Sequence, residues 1–169
     1  GNRALGDGKT WNGLLGGTFG GGLLAMITHS LSRDNIVNSA PFLDPLGQYS
    51  INPHPVSDGW FYFGGEMSAA FVLGAVLGLG CMVGDSIGSF IKRRLGHKRE
   101  GEVSSQAPML DTLPFAISAF LFGQIFLSSS IVGSSELFFG MAILLLATPL
   151  MHRAFNIIGY RLGLKSVPY

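Results

Sequence analysis

The chain has 169 residues, 47% of them hydrophobic and only 12% charged, about half the charged share of an ordinary soluble domain. Glycine occurs 25 times, roughly twice its usual frequency, and the net charge is +1. An apolar, weakly charged, glycine-rich chain packs as a helical membrane protein with close helix contacts, and so small a net charge excludes bulk attraction to nucleic acid.

The polar start lacks the basic-then-apolar pattern of a cleavable signal, and the absence of an initiator methionine leaves room for a further helix upstream. Residues 6–13 (GDGKTWNG) form a glycine-rich turn with one lysine. A P-loop would need glycine where Arg3 stands, so a Walker motif is rejected. The turn still offers backbone N–H groups and a cation to phosphates, or it is a solvated loop with one anchoring lysine.

Four apolar segments follow, about residues 13–31, 60–91, 113–132 and 137–158. Each approaches the roughly 20 residues that cross a bilayer core. The first is crowded with glycine and reads as a helix among helices; the second exceeds a single span. Between them, residues 32–59 hold four of the eight prolines, and residues 51–62 (INPHPVSDGWFY) end in an aromatic group suited to a membrane interface. Cys81 lies in the second segment, excludes an internal disulfide and reads as a packing residue. Gly74 pairs with Gly78, and Gly80, Gly84 and Gly88 recur every four residues, a spacing that lets helix backbones approach closely.

If the N-terminus is cytoplasmic and the spans alternate, Arg3, Lys9, Lys92, Arg93, Arg94, Lys98, Arg99, Arg153, Arg161 and Lys165 all fall inside, and only Arg33 falls outside. That asymmetry obeys the positive-inside rule. The expectation is an all-α polytopic membrane bundle with four spans, one transmembrane catalytic domain over residues 1–169, multi-pass in the cell membrane.

The chemistry-bearing residues gather on the cytoplasmic side of that topology. Asp85, Ser89, Lys92 and Arg93 fall at i, i+4, i+7 and i+8, one stripe of a helix. An acid at membrane depth is costly and usually marks a site. Lys92 lies about 10 Å from Asp85 along the axis, too far to pair without bending, which makes a divalent cation a candidate partner. Asp111 reads as the N-cap of the third helix and, at the same side, as a second carboxylate for Mg²⁺. The basic cluster alone reads more readily as a topology anchor or a headgroup site than as a substrate site. His29, His54, His97 and His152 lack ligand spacing and read as structural or exposed. Glu66 and Glu136 fall towards the outer side.

Gly84-Asp85, Ser89-Phe90-Ile91-Lys92-Arg93, Pro108 and Asp111 together resemble the signature of the integral-membrane CTP:phosphatidate cytidylyltransferases. The chain is more closely similar to their archaeal branch, the CDP-archaeol synthases (CTP:2,3-di-O-geranylgeranylglycerol-1-phosphate cytidylyltransferases), through GDGKTWNG and a compact chain whose four spans resemble the last part of a five-span architecture. It departs from the bacterial and eukaryotic pattern in having residues 104–107 (SSQA) in place of a His-Gly-Gly stretch and Pro114 in place of a second aspartate. The resemblance implies transfer of a cytidylyl group from CTP to a lipid phosphate of the unsaturated archaetidic acid type, at the cytoplasmic face of the bilayer. It points to Asp85 and Asp111 for Mg²⁺, to Lys9, Lys92 and Arg93 for triphosphate or lipid phosphate, to Asp7, Thr10 and Asn12 for the nucleotide end, and to Ser89 as a minor ligand.

A transporter using Asp85 as an ion or proton site fits the glycine-rich helices but explains the clustered phosphate-type donors poorly. A CDP-alcohol phosphotransferase would need a DG…AR…G…D…D run, which the sequence lacks. A purely structural or lipid-binding protein leaves Asp85 without a partner.

Overall fold

Helix α1 (Trp11–Ser32) begins where Thr10, in extended conformation, turns its hydroxyl to accept the Gly13 N–H at 3.0 Å. In the computed structural model the described residues are 9–37, 40–41, 44–47, 57, 59–96, 108–126 and 135–164; side chains are described for these except 36, 37, 40, 41, 108–111, 135–141 and 144. A two-residue antiparallel ladder follows α1, with β1 (Ile36–Val37) against β2 (Ala40–Pro41) and Ile36 opposite Pro41. Then come α2 (Glu66–Arg94), α3 (Pro108–Phe126) and α4 (Ser135–Arg161). The regular structure of the described residues is thus helical apart from that small ladder, which the all-α expectation did not include.

Helix α2 lies between α1 and α3, and α3 meets α4 more lightly. Its glycines explain the arrangement. At about 100° per residue, Gly74 and Gly78 share one face, while Gly80 and Gly84 lie about 80–160° from them round the helix. A methyl group added at Gly78 would stand 2.9 Å from the Gly17 carbonyl oxygen, and one at Gly21 would stand 2.7 Å from that of Gly74. On the other face, a methyl at Gly80 would lie 2.9 Å from the Ala119 Cα, and one at Gly84 would lie 2.8 Å from the Phe115 Cα and closer still to the Pro114 carbonyl. Backbone therefore meets backbone on both faces, the small-residue packing used where lipid removes the usual hydrophobic drive between helices.

These contacts fix two antiparallel registers. Gly17 faces Gly78 and Gly21 faces Gly74, so α1 and α2 run in opposite directions. Gly84 faces Pro114 and Gly80 faces Ala119, so α3 runs back again. One end of the three helices carries Thr10, Asp85 and the start of α3; the other carries His29, Glu66 and Phe126.

That second end holds the tightest side-chain packing. Leu46, Phe61, Ala69, Ala70 and Leu73 form a buried cluster. Beside it the buried His29 places Nδ1 2.8 Å from Asp44 Oδ1, which also accepts the Leu46 N–H at 2.9 Å. His29 Nε2 lies 3.6 Å from Glu66 Oε2, an ion-pair distance too long for a hydrogen bond. The Trp60 indole N–H donates to the Phe126 carbonyl and ties the entry of α2 to the end of α3. This gives Trp60 a specific partner in addition to its expected place in an aromatic belt.

The helix bounds shift from those expected. The segment expected from residue 60 becomes helical only at Glu66, because Tyr62 donates to the Gly59 carbonyl at 3.0 Å in a turn and Gly64 adopts φ +80°, a conformation suited to glycine. Helix α3 begins at Pro108, so Asp111 sits in its first turn and is not the N-cap. Proline suits the opening of a helix, where its missing N–H has no intrahelical partner to lose.

Among the described residues two helices, Trp11–Ser32 and Glu66–Arg94, are long and apolar enough to cross a membrane, and Thr112–Phe126 is a shorter apolar stretch. Large apolar side chains point outward along the bundle, from Trp11 (80% exposed) and Leu31 on α1 to Leu146 and Leu150 (72% exposed) on α4. Apolar exposure on this scale marks a partner or membrane interface.

Gly84→Ala is expected to destabilise the protein by about 1–3 kcal/mol, because backbone must move to admit the methyl. Gly20→Ala, whose methyl meets nothing within 4 Å, is expected to be neutral or stabilising by about 0.5–1 kcal/mol. Thermal unfolding in detergent separates the two, and equal shifts would refute the packing account. His29→Ala leaves a buried carboxylate short of a donor and is expected to cost about 1–3 kcal/mol in the same measurement.

Candidate functional site

The glycine row that admits α1 continues into polar residues. Measured round α2 at about 100° per residue, Asp85, Ser89 and Lys92 lie within about 60° of Gly74, on the face turned to α1. Extending the Gly21/Gly74 and Gly17/Gly78 register two turns further brings Lys9 level with Ser86, one residue from Asp85. The side chains meet: the Lys9 ammonium donates to Asp85 Oδ2 as a direct ion pair. The cation beside Asp85 is therefore a lysine from 76 residues away in sequence, where sequence reasoning found no residue in reach and turned to a divalent ion.

The pair is partly open, with side-chain exposures of 26% for Lys9 and 40% for Asp85. Ion pairs this accessible are worth about 0.2–1 kcal/mol, so the contact orients both groups without locking them. Thr10 follows Lys9 and caps α1, a local duty that aims the preceding lysine at α2. Asn12 is exposed in the first turn of α1. Ser89 is buried, at 9% exposure, so its side chain offers little surface to a ligand in this arrangement.

The basic end of α2 divides. Lys92 and Arg93 are half-buried, whereas Arg94 is exposed and lies over the Phe90 ring at 5.2 Å from its centroid. A cation held on an aromatic face beside the helix end is placed as an anchor. Asp7 lies outside the described residues. For Asp111 only the backbone is described: continuing the Gly80/Ala119 and Gly84/Phe115 register by one turn sets it level with Gly88. Asp85 and Asp111 therefore belong to the same end of the bundle, separated along the axis by about one turn.

Among the described residues no three His, Cys, Asp or Glu side chains gather to hold a metal. The donor set that remains, an accessible carboxylate already facing a cation, suits an ion bound by one or two carboxylates with water and phosphate oxygens, the habit of Mg²⁺. It does not suit a closed protein cage.

The profile of the CarS-like family, CDP-archaeol synthase, matches residues 48–169. The CDP-archaeol synthase of Archaeoglobus fulgidus is 34% identical over 169 residues, spanning all of this chain and 78% of the relative. Those of Picrophilus torridus and Thermococcus gammatolerans are 35% and 36% identical, again over the whole chain, covering 78% and 76% of their own lengths. No solved structure matches. An apolar helical fold with acid and cations at one end, matched in this way, defines an enzyme of the cytidylyltransferase class. The chain belongs to the CDP-archaeol synthase family.

Thr10→Ala is expected to lower stability by about 1 kcal/mol, while Thr10→Ser retains the cap and the wild-type value. Chemical denaturation in detergent checks the pair; an unstable Thr10→Ser would show that the hydroxyl cap is not what Thr10 supplies.

Proposed function

We propose that the protein transfers a cytidylyl group from CTP to an isoprenoid glycerol-1-phosphate ether lipid, giving a CDP-archaeol-type lipid and pyrophosphate for phospholipid synthesis. A phosphate oxygen of the lipid forms a bond to the α-phosphorus of CTP, and the bond from that phosphorus to the α–β bridging oxygen breaks. Pyrophosphate leaves with the electron pair. The nucleophile is already an anion, so the site needs no strong base; it needs placement and opposing charge.

The observation that carries this reading is the gathering of Lys9, Asp85, Lys92, Arg93 and the backbone of Asp111 at one end of the bundle, in a member of this family. Asp85 and Asp111 are the carboxylates suited to hold Mg²⁺. Bound there, Mg²⁺ supplies charge neutralisation on the phosphates and polarises the phosphoryl group under attack. Lys9, Lys92 and Arg93 bind triphosphate or lipid phosphate oxygens, Lys as a mobile point charge and Arg as a planar fork. Asp7 and Asn12 border the nucleotide end, Thr10 holds that segment in shape, and Ser89 serves the chemistry only through packing or as a minor ligand. The lipid chains lie along the exposed apolar faces of the helices.

We place the chain as a multi-pass protein of the cell membrane, four spans in this chain, with the Asp85 end at the cytoplasm. Lys9, Lys92, Arg93 and Arg94 at one end, against Arg33 at the other, support that orientation. Transport through Asp85 has less to recommend it, because Lys9 already accounts for the acid at that depth.

Asp85→Asn and Asp111→Asn are each expected to lose Mg²⁺-dependent formation of CDP-lipid by at least about a hundredfold, the scale of lost transition-state charge stabilisation, without unfolding. Radiolabelled CTP, Mg²⁺ and either archaeal or diacyl lipid phosphate, followed by product analysis, supply the measurement. Full turnover in both variants would refute the carboxylate assignment, and no label entering lipid from the wild-type protein would refute the reaction.

A further inference from the structure

We propose that Lys9 is an exchangeable counter-ion: it occupies Asp85 in the free protein and moves to nucleotide phosphate oxygens when a divalent cation takes the carboxylate. This rests on the function proposed above and adds an order of events to it.

Three observations support the exchange. Lys9 and Asp85 are in direct contact, so the lysine stands where a cation on that carboxylate would stand. Both partners are partly open, which makes the contact weak enough to be given up. Lys9 sits just outside α1, before the extended Thr10 cap, so its long stem can swing without unwinding a helical turn. A lysine ammonium is a compact charge on a flexible stem and suits such a move.

Electrostatics makes the two occupants compete. One carboxylate cannot neutralise an ammonium and a divalent cation together, and two cations brought within a few ångströms repel each other. Phosphate oxygens resolve the conflict by giving the displaced ammonium a new anion. Metal alone therefore binds poorly, nucleotide alone meets a lysine already engaged, and the two together bind well. By linkage each raises the affinity of the other by the same factor. The lysine thus couples metal to nucleotide and disfavours idle occupation of Asp85 by free cations.

The test uses the purified full chain in detergent, without lipid or nucleotide, and Mn²⁺ alone as a spectroscopic probe of the divalent site. Lys9→Met is expected to bind Mn²⁺ about 1.5- to fivefold more tightly than wild type, since a competing charge is removed. Lys9→Arg is expected to stay near wild type, and Asp85→Asn to lose the binding. A second readout needs no variant: Mn²⁺ alone is expected to raise the acylation rate of Lys9 in the wild-type protein, read by peptide mass spectrometry. Equal or weaker Mn²⁺ affinity in Lys9→Met, or an acylation rate indifferent to Mn²⁺, overturns the exchange. If Asp85→Asn has lost Mn²⁺ while Lys9→Met merely equals wild type, the exchange fails and the metal assignment survives. If Asp85→Asn binds Mn²⁺ as wild type does, both fail together.

Discussion

Helix α2 can lie between two neighbours only because it presents glycine on two faces. The Gly74/Gly78 face admits α1, and the Gly80/Gly84 face admits the α3 backbone at Pro114 and Phe115. Such contacts leave almost no room for sliding, since a shift by one residue would drive a side chain into backbone. Register is therefore set by sterics along the apolar middle of the helices, and the polar residues beyond inherit it. Lys9 reaches Asp85, and the backbone of Asp111 comes level with Gly88, as consequences of packing several turns away.

The two ends of the bundle use charge in different ways. At one end His29 and Asp44 are almost wholly buried, Asp44 also takes a backbone N–H, and the pair sits beside the packed Leu46/Phe61 cluster. Such an arrangement is costly to disturb, because either partner left alone would be a buried unsatisfied group. At the other end Lys9 and Asp85 meet in partly open surroundings, where separation costs little. A buried pair fastens the connection after α1 back onto α1 itself; an accessible pair leaves charges free to find other partners. Only the second is suited to a reaction in which highly charged phosphates enter and leave.

Much of this was legible in the sequence, for physical reasons that also mark its limits. The four-residue glycine spacing carried the close packing of α2, and the i, i+4, i+7 pattern placed Asp85, Ser89 and Lys92 on one face. What periodicity along one helix cannot reveal is the neighbour across the gap. Distance along α2 alone, from Asp85 to Lys92, offers the acid no partner, whereas Lys9 arrives from the segment before α1 through an antiparallel register. The glycines of both helices held the signal: aligning Gly17 and Gly21 with Gly78 and Gly74 would have set Lys9 beside Asp85. His29 reads from sequence as structural or exposed; the structure buries it, and its partner Asp44 lies in a connection with no periodicity to place it. Asp111 read as a cap because Pro114 suggested a first turn. Pro108 starts the helix instead, and Pro114 is accommodated inside it, its carbonyl against Gly84.

The position of Asp85 follows from the same logic. A carboxylate one residue past Gly84 lies beside a helix contact that excludes side chains on the α3 face, so its own side chain turns towards α1 and the polar segment that precedes it. Moved one turn towards the middle of α2, to the level of Cys81, an acid would stand deeper in the apolar stretch and beyond the level of Lys9. Moved one turn the other way, to Ser89, it would be buried in the packing and closed to solvent. The position is thus bounded on both sides: deep enough for a single lysine to matter electrostatically, and open enough for that lysine to be replaced.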